Sequence, residues 1–259
     1  MSERDSYQLG VPCWVDLMTN DVDGAHRFYG DVFGWAVEDQ GEEFGHYGMA
    51  SLRGKTVAGI MPVPPGQSMP TAWSTYLATP NLDTTAAKVK DAGGTVMMAP
   101  MDIGDAGRMA VVQDTAGAIV GFWQAKDHVG SELVNEPGTL CWNELHVRDA
   151  EAADEFYGAV CGYEFEKMEG PPGFDYALLK VDGKIVGGRM KMGADFPEQM
   201  PPHWLCYFAV EDTDAAVEKI RASGGTVSNG PNDSEYGRMA ICADPAGAAF
   251  AVITMAQEA

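Results

Sequence analysis

The chain has 259 residues, 46% of them hydrophobic, which is enough for one large folded domain or two smaller ones. Its 17 lysines and arginines face 38 aspartates and glutamates, giving a formal net charge of −21. This acidity argues against nucleic acids and anionic membranes as partners, because both need clustered basic residues. The charged start, MSERDSYQLG, lacks the apolar core of a signal peptide, so we expect a cytoplasmic protein.

One helix-and-turn phrase occurs twice in the chain. The stretch HRFYGDVFGW begins at residue 26, and DEFYGAVCGY begins 128 residues later. Between 10–39 and 138–167, 12 of 30 positions are identical. The similarity continues through AGGTV and SGGTV, through GRMA in both copies, and through DTAGA and DPAGA. Residues 1–130 and 131–259 are therefore predicted to be two copies of one domain.

The first half of each copy reads as a strand, a helix and three further strands. An aromatic strand, CWVDLMT in the first copy and CWNELHV in the second, comes first. In the first copy a helix follows at about 22–33, with Asp21 as its N-cap and Gly34 as its C-terminal glycine. Short alternating strands come next, and pairs such as Asp182-Gly183 predict the tight turns between them.

The second half of each copy repeats this order. It begins with AWSTYLAT or HWLCYFAV and continues into a helix, at about 82–92 in the first copy. Proline-rich connectors at 62–70 and 195–202 separate the halves. The unit of strand, helix and three strands is thus used four times. The predicted quarters are 10–65, 70–126, 138–193 and 202–257.

Four βαβββ units, with FYG in the first helix, resemble the vicinal oxygen chelate superfamily. This is the group of glyoxalase I, bleomycin-resistance proteins and extradiol dioxygenases. The chain looks most like its tandem two-copy actinobacterial members labelled hydroxylases, including ones linked to anthracycline pathways. The resemblance implies an α+β fold in which the four units form two incomplete barrels, each with a cleft. We expect adjacent quarters to pair, while exchange of quarters between the halves stays open.

The resemblance also implies a divalent metal, held by His or Gln on the first strand of each quarter and by Glu on the last strand. Transferred to this sequence, the first-strand positions are Trp14, Trp73, Trp142 and Trp204. Indole cannot ligate a metal. The last-strand positions are Gly121 and Ala251, so no metal cofactor is expected. An alternative set of ligands, for Fe, Mn, Ni or Zn, is Glu144, His146 and His203.

The four tryptophans have two compatible interpretations. They fill the barrel ends, or they line an aromatic slot for a flat organic ligand. The further candidate ligand-binding residues are Thr75, Cys206, Tyr47, Tyr176, Arg108 and Arg238. The first two follow from strand alternation, and the tyrosines are placed near the cleft mouths. The arginines are candidates for binding an anionic group, with ordinary salt bridges as the alternative.

Two matched carboxylates are the candidate catalytic groups. Asp16 and Glu144 lie on the inward face of their strands, where an adjacent indole would raise their pKa and favour proton transfer. Hydrogen bonding to backbone or arginine is the alternative. His146, whose counterpart is Met18, would confine chemistry to the second cleft. His128 lies near a loop and is predicted to be a surface residue.

The sequence therefore predicts a protein, monomeric or homodimeric, that binds a small aromatic organic molecule without metal. Its role would be sequestration or metal-independent chemistry. The alternative is a metal-dependent lyase or a dioxygenase/hydroxylase of secondary metabolism with non-standard ligands. A third alternative is an interaction module whose clefts are filled by its own side chains. Whether any reaction is catalysed stays open.

Overall fold

The chain forms two eight-stranded sheets, one from each sequence copy, in a computed structural model that describes residues 2–256. A 3₁₀ turn at Glu42–Phe44 is the one short addition to the first copy's pattern. The first copy contains β1 (Pro12–Thr19), α1 (Val22–Phe33), β2 (Ala36–Asp39), β3 (Gly48–Leu52), β4 (Lys55–Pro62), β5 (Ala72–Ala78), α2 (Leu82–Asp91), β6 (Thr95–Ile103), β7 (Gly107–Gln113) and β8 (Ile119–Ala125).

The second copy repeats the same order of elements. It contains β9 (Leu140–Val147), α3 (Ala150–Cys161), β10 (Glu164–Lys167), β11 (Tyr176–Val181), β12 (Lys184–Lys191), β13 (His203–Ala209), α4 (Thr213–Ala222), β14 (Thr226–Ser234), β15 (Gly237–Ala243) and β16 (Ala249–Met255). Four βαβββ units are therefore present, as predicted. The predicted division between residues 130 and 131 stays a prediction.

Each sheet joins two adjacent quarters at its centre. The strand order is β2-β3-β4-β1-β5-β8-β7-β6 in the first sheet, and β10-β11-β12-β9-β13-β16-β15-β14 in the second. The first strand of each quarter runs parallel to the last strand of that quarter, while β1 and β5 run antiparallel. Neither sheet closes on itself. The predicted α+β fold of two tandem, incomplete barrels is confirmed, and so is the pairing of adjacent quarters.

Local sequence chemistry sets the helix ends and turns. The Asp21 carboxylate accepts the backbone N–H of Gly24 at 2.8 Å, and Gly34 ends α1 in the left-handed conformation with φ 77°. Asp182 and Gly183 both have positive φ, 49° and 74°, which is the requirement of the tight β11–β12 hairpin turn. The predicted caps and this turn are therefore confirmed.

The two copies pack together through their helix-bearing faces. α1 contacts α4, and α2 contacts α3, so each helix pair spans the two copies. One core contains Phe28 of the first copy together with Ile220 and Phe250 of the second. The concave faces of the two sheets, which form the clefts, therefore lie away from this shared interior. Within residues 2–256, no helix combines the length and apolar character needed to cross a membrane.

The tyrosine of the first FYG phrase bonds across the interface between the copies. The Tyr29 hydroxyl donates to Asp244 Oδ2 at 3.1 Å and accepts from Trp73 Nε1 at 3.0 Å. Asp244 also stabilises the turn in which it lies, because its Oδ1 accepts hydrogen bonds from two backbone N–H groups. Tyr29 is fully buried, so this chain of bonds satisfies polar groups that water cannot reach.

The second FYG phrase makes the reciprocal chain of bonds. Tyr157 donates to Asp114 Oδ2 at 3.0 Å and accepts from Trp204 Nε1 at 2.9 Å. The tyrosine of each copy therefore donates a hydrogen bond to an aspartate in a turn of the other copy. These two bonds give a reason for the repeated FYG sequence, since its tyrosine holds the two copies together.

The face predicted for Trp73 and Trp204 was wrong. Directly opposed residues of paired strands share a face. β1 and β5 place Leu17 opposite Trp73, and β9 and β13 place Leu145 opposite Trp204. These leucines belong to the helix-side cores, and the two tryptophans lie there as well. They are packing residues of the shared interior and do not line the clefts.

Because the predicted faces of β5 and β13 were reversed, two further candidate residues were also placed on the wrong face. Thr75 points toward the second copy and donates from Oγ1 to Asn143 Oδ1 at 2.9 Å. Cys206 is 1% exposed and belongs to the core that contains Phe28. Neither residue reaches a cleft, because the alternation was counted from tryptophans that face the interior.

We predict that Tyr29→Phe lowers the free energy of unfolding by about 1–3 kcal/mol, because it leaves a buried carboxylate and an indole N–H without their shared partner. Tyr157→Phe should have the same effect, and urea unfolding with an unchanged slope measures it. Tyr236→Phe is the control, since Tyr236 is 50% exposed. A loss no larger than that of the control would contradict the proposed importance of these bonds.

Candidate functional site

The concave face of each sheet carries one candidate cleft. The first cleft is defined by Trp14, Asp16, Gly59, Tyr76, Gly121 and Trp123. The second cleft is defined by the equivalent Trp142, Glu144, Gly188, Tyr207, Ala251 and Ile253. Trp14 and Trp142 thus lie on the predicted face. The two clefts share one framework but differ in what fills them.

The first cleft is filled by its own side chains. Trp14, Tyr76 and Trp123 are 4%, 7% and 7% exposed. The ring of His128 lies edge-on to Trp14, with centroids 4.5 Å apart, and the His128 carbonyl accepts from Trp123 Nε1 at 2.8 Å. The prediction that His128 is a surface residue was wrong, because the end of the sheet folds it back onto these rings. Burial lowers the pKa of His128 to about 4.

A buried carboxylate lies beneath the aromatic rings of the first cleft. Trp14 Nε1 donates to the Tyr47 hydroxyl at 2.9 Å, and that hydroxyl donates to Asp16 Oδ2 at 3.4 Å. Tyr47 fits only because a glycine lies beneath it, since a Cβ on Gly59 would stand 1.9 Å from the hydroxyl. Burial raises the pKa of Asp16 to about 6, although the hydroxyls of Tyr76, Ser74 and Tyr47 oppose the shift.

The equivalent carboxylate of the second cleft is held differently. Glu144 accepts from Tyr176 at 2.8 Å on Oε2 and from Tyr207 at 3.1 Å on Oε1. Its Oε1 also lies 2.6 Å from His146 Nε2. Burial alone would raise the pKa of Glu144, but His146 and the two tyrosines outweigh it and lower the pKa. The expected raised pKa is thus found for Asp16 and is wrong for Glu144.

The second cleft opens into a cavity of about 2310 Å³. Trp142, Glu144 and His146 line it, together with Phe174 and Tyr236, which are 38% and 50% exposed. The cavity continues along parts of the segments 3–8 and 127–135. Ligand pockets are usually about 300–1,000 Å³, so a small molecule would occupy only part of this space.

One exchange of side chains distinguishes the clefts. The rings of Trp123 and His128 fill the first cleft, and the position equivalent to Trp123 in the second copy is Ile253. Tyr47 and Tyr176 bond the carboxylates instead of standing at the cleft mouths as predicted. The sequence analysis missed Trp123, although the aligned strands GFW and AVI record the exchange.

Arg108 and Arg238 lie outside both clefts. Arg108 donates to Asp83 at 2.8 Å, and Arg238 donates to Asp214 at 2.9 Å, each aspartate lying in the first turn of a helix. The prediction that they bind an anionic ligand group was wrong. The ordinary salt bridge that was the alternative is what the structure contains.

The side chains present do not fit the metal site that the resemblance implies. Trp14 and Trp142 occupy first-strand positions on the cleft faces, and Gly121 and Ala251 occupy the last-strand positions. Neither indole nor these two residues offers a side-chain ligand to a metal. Within residues 2–256, no three His, Cys, Asp or Glu side chains are arranged to hold an ion.

The alternative ligand set is brought together, but its carboxylate is already engaged in hydrogen bonds. β13 places His203 opposite His146, with ring centroids 4.8 Å apart. Both oxygens of Glu144 already accept hydrogen bonds, and His203 Nδ1 lies 2.9 Å from the Pro201 carbonyl.

We predict opposite pH effects for the two carboxylates. The folded pKa of Asp16, about 6, exceeds its ordinary 3.8, so its ionisation costs stability as pH rises from 3.8 to 6. Asp16→Asn should therefore gain stability relative to wild type across this window, by about 2–3 kcal/mol. Glu144→Gln is the contrasting variant. The lowered pKa of Glu144 stabilises the fold above pH 4.5, and this contribution is lost as pH falls further.

Urea unfolding of both variants and wild type between pH 3 and pH 8 measures these differences. The difference in unfolding free energy between variant and wild type should rise with pH for Asp16→Asn and fall with pH for Glu144→Gln. Changes of the same sign in both variants would contradict the pKa shifts described for the two carboxylates.

Two relatives match the chain over all or nearly all of its length. It is 45% identical to "Putative glyoxylase CFP32" of Mycobacterium tuberculosis, with 100% of both chains covered. It is 36% identical to "Anthracycline biosynthesis protein DnrV" of Streptomyces peucetius, covering 95% of this chain and 94% of the relative.

Solved structures share the fold at low sequence identity. The 2,3-dioxygenase LapB from Pseudomonas sp. KL28 matches with a TM-score of 0.69 and 15% identity, covering 97% of this chain and 94% of that one. The Mn(II)-bound glyoxalase from Novosphingobium aromaticivorans matches with a TM-score of 0.67 and 16% identity, covering 95% and 82%. A family model matches residues 13–122 and 138–252. The chain therefore belongs to the Glyoxalase/Bleomycin resistance protein/Dioxygenase superfamily.

Proposed function

We propose that this protein binds a small, flat aromatic molecule in the second cleft and needs no metal to do so. The observation that carries the proposal is the difference between two otherwise matched clefts. In the first, Trp123 and its neighbours occupy the space. In the second, Ile253 stands in place of that indole, and Trp142 borders a cavity of about 2310 Å³ that also extends along parts of the segments 3–8 and 127–135.

The lining of the second cleft suits an aromatic ligand. Trp142 is half-buried, and Phe174 and Tyr236 are exposed, so aromatic rings are available on more than one side of the cavity. Glu144 supplies a fixed negative charge at the floor, which disfavours anionic ligands. One relative is named for anthracycline biosynthesis, and anthracyclines are polycyclic aromatic compounds. This supports a polycyclic ligand.

Metal independence is supported by the side chains on the second cleft face, because Trp142 and Ala251 hold first-strand and last-strand positions there and offer no metal ligand. Sequestration of the ligand, or proton chemistry carried out by protein groups alone, are the roles consistent with this arrangement. A cytoplasmic location and a monomeric or homodimeric state stay predictions.

The binding test uses 2-hydroxyanthraquinone with protein dialysed against EDTA, and metal content is measured in the same sample. We predict binding that quenches tryptophan fluorescence and survives chelation. Ile253→Trp should fill the second cleft as Trp123 fills the first, weakening binding by about tenfold or more, which is at least about 1.4 kcal/mol.

The control is Ile119→Trp, which adds the same indole at a position that is 49% exposed on β8. This variant should bind like wild type. Binding that is lost on chelation and restored by Fe, Mn, Ni or Zn would support the metal-dependent alternative instead. Equal binding by both variants would show that the ligand does not occupy the second cleft.

A further inference from the structure

We infer that the second cleft selects a ligand with an aromatic hydroxyl group, whose hydrogen bond is accepted by Nδ1 of His146. This inference rests on the proposed function, because it concerns the ligand of the same cleft.

The hydrogen bonds around Glu144 set the tautomer of His146. Glu144 Oε2 accepts from Tyr176 and Oε1 accepts from Tyr207, as expected of an ionised carboxylate. His146 Nε2 lies 2.6 Å from the same Oε1, so this nitrogen must carry the hydrogen. At a pH where the imidazole is neutral, the other nitrogen, Nδ1, then presents a lone pair and can only accept.

That lone pair has no partner within residues 2–256. His146 Nδ1 is buried and makes no hydrogen bond with the protein, while the side chain is 5% exposed and borders the cavity. Buried polar groups in folded proteins are nearly always paired, so an unpaired acceptor beside a cavity indicates a missing donor. A ligand hydroxyl can supply it.

The surroundings of His146 favour a hydroxyl attached to a neutral aromatic ring. The Phe196 ring lies edge-on at 5.6 Å, and the His203 ring lies at 4.8 Å. An aryl group can pack against these rings while its hydroxyl reaches Nδ1. The Glu144 carboxylate beneath His146 disfavours the ionised form of the same ligand.

The first cleft lacks this recognition group. The residue equivalent to His146 is Met18, which has a weakly accepting thioether in place of imidazole. His203 is the other nearby imidazole, and its Nδ1 lies 2.9 Å from the Pro201 carbonyl, which can only accept. These two residues supply the matched substitution and the matched control for a test.

The experiment measures dissociation constants for 2-hydroxyanthraquinone, 2-methoxyanthraquinone and anthraquinone. In 2-methoxyanthraquinone a methyl group replaces the hydroxyl hydrogen, so this probe cannot donate. Anthraquinone lacks the hydroxyl group altogether and adds no bulk. Wild type should prefer the hydroxyl probe by about tenfold, in line with one hydrogen bond to a buried acceptor. His146→Met should remove this preference while still binding anthraquinone. His203→Met should keep it.

His146→Gln tests the role of the acceptor without removing polarity. Its side-chain oxygen can accept the same bond, so part of the preference should return relative to His146→Met. Equal affinity of wild type for all three probes would overturn the inference, and so would a preference that survives His146→Met or disappears in His203→Met. Failure of wild type to bind any probe would instead count against the proposed function.

Discussion

Two buried chains of hydrogen bonds, each running from tryptophan through tyrosine to aspartate, join the copies of the duplicated domain. Tyr29 of the first copy reaches Asp244 of the second, and Tyr157 of the second reaches Asp114 of the first. Because each tyrosine is buried, its polar atoms depend on the other copy. This exchange commits the helix-bearing faces to the shared interior, so the concave faces are the surfaces left for a ligand.

The two concave faces show how one framework gives either a packed core or a site. Asp16 and Glu144 occupy equivalent positions, each beside a tyrosine that packs on a glycine. In the first cleft, Trp123 closes the space, and burial raises the pKa of Asp16. In the second, Ile253 leaves the space open, and His146 helps to keep the carboxylate ionised. The charge on that carboxylate then fixes the hydrogen on His146, which links packing to ligand selection.

Sequence reasoning succeeded where the signals were local. The cap at Asp21 and the turn at Asp182-Gly183 depend on neighbouring residues alone, and the repeated phrase identified four units. It failed for Trp73, because the face of β5 depends on its register against β1, which no local pattern reports. It also failed for His128, whose burial depends on where the chain returns after β8. In the sequence, the difference between the two clefts is visible only as the replacement of Trp123 by Ile253 at equivalent positions.

The central claim is that one cleft per chain is open and the other is filled by the protein itself. Native mass spectrometry at saturating 2-hydroxyanthraquinone tests it most directly by counting bound molecules per chain. The account predicts one. Two molecules per chain, with the second lost on substitutions around Trp14, would show that the first cleft also accepts ligand and would contradict the account.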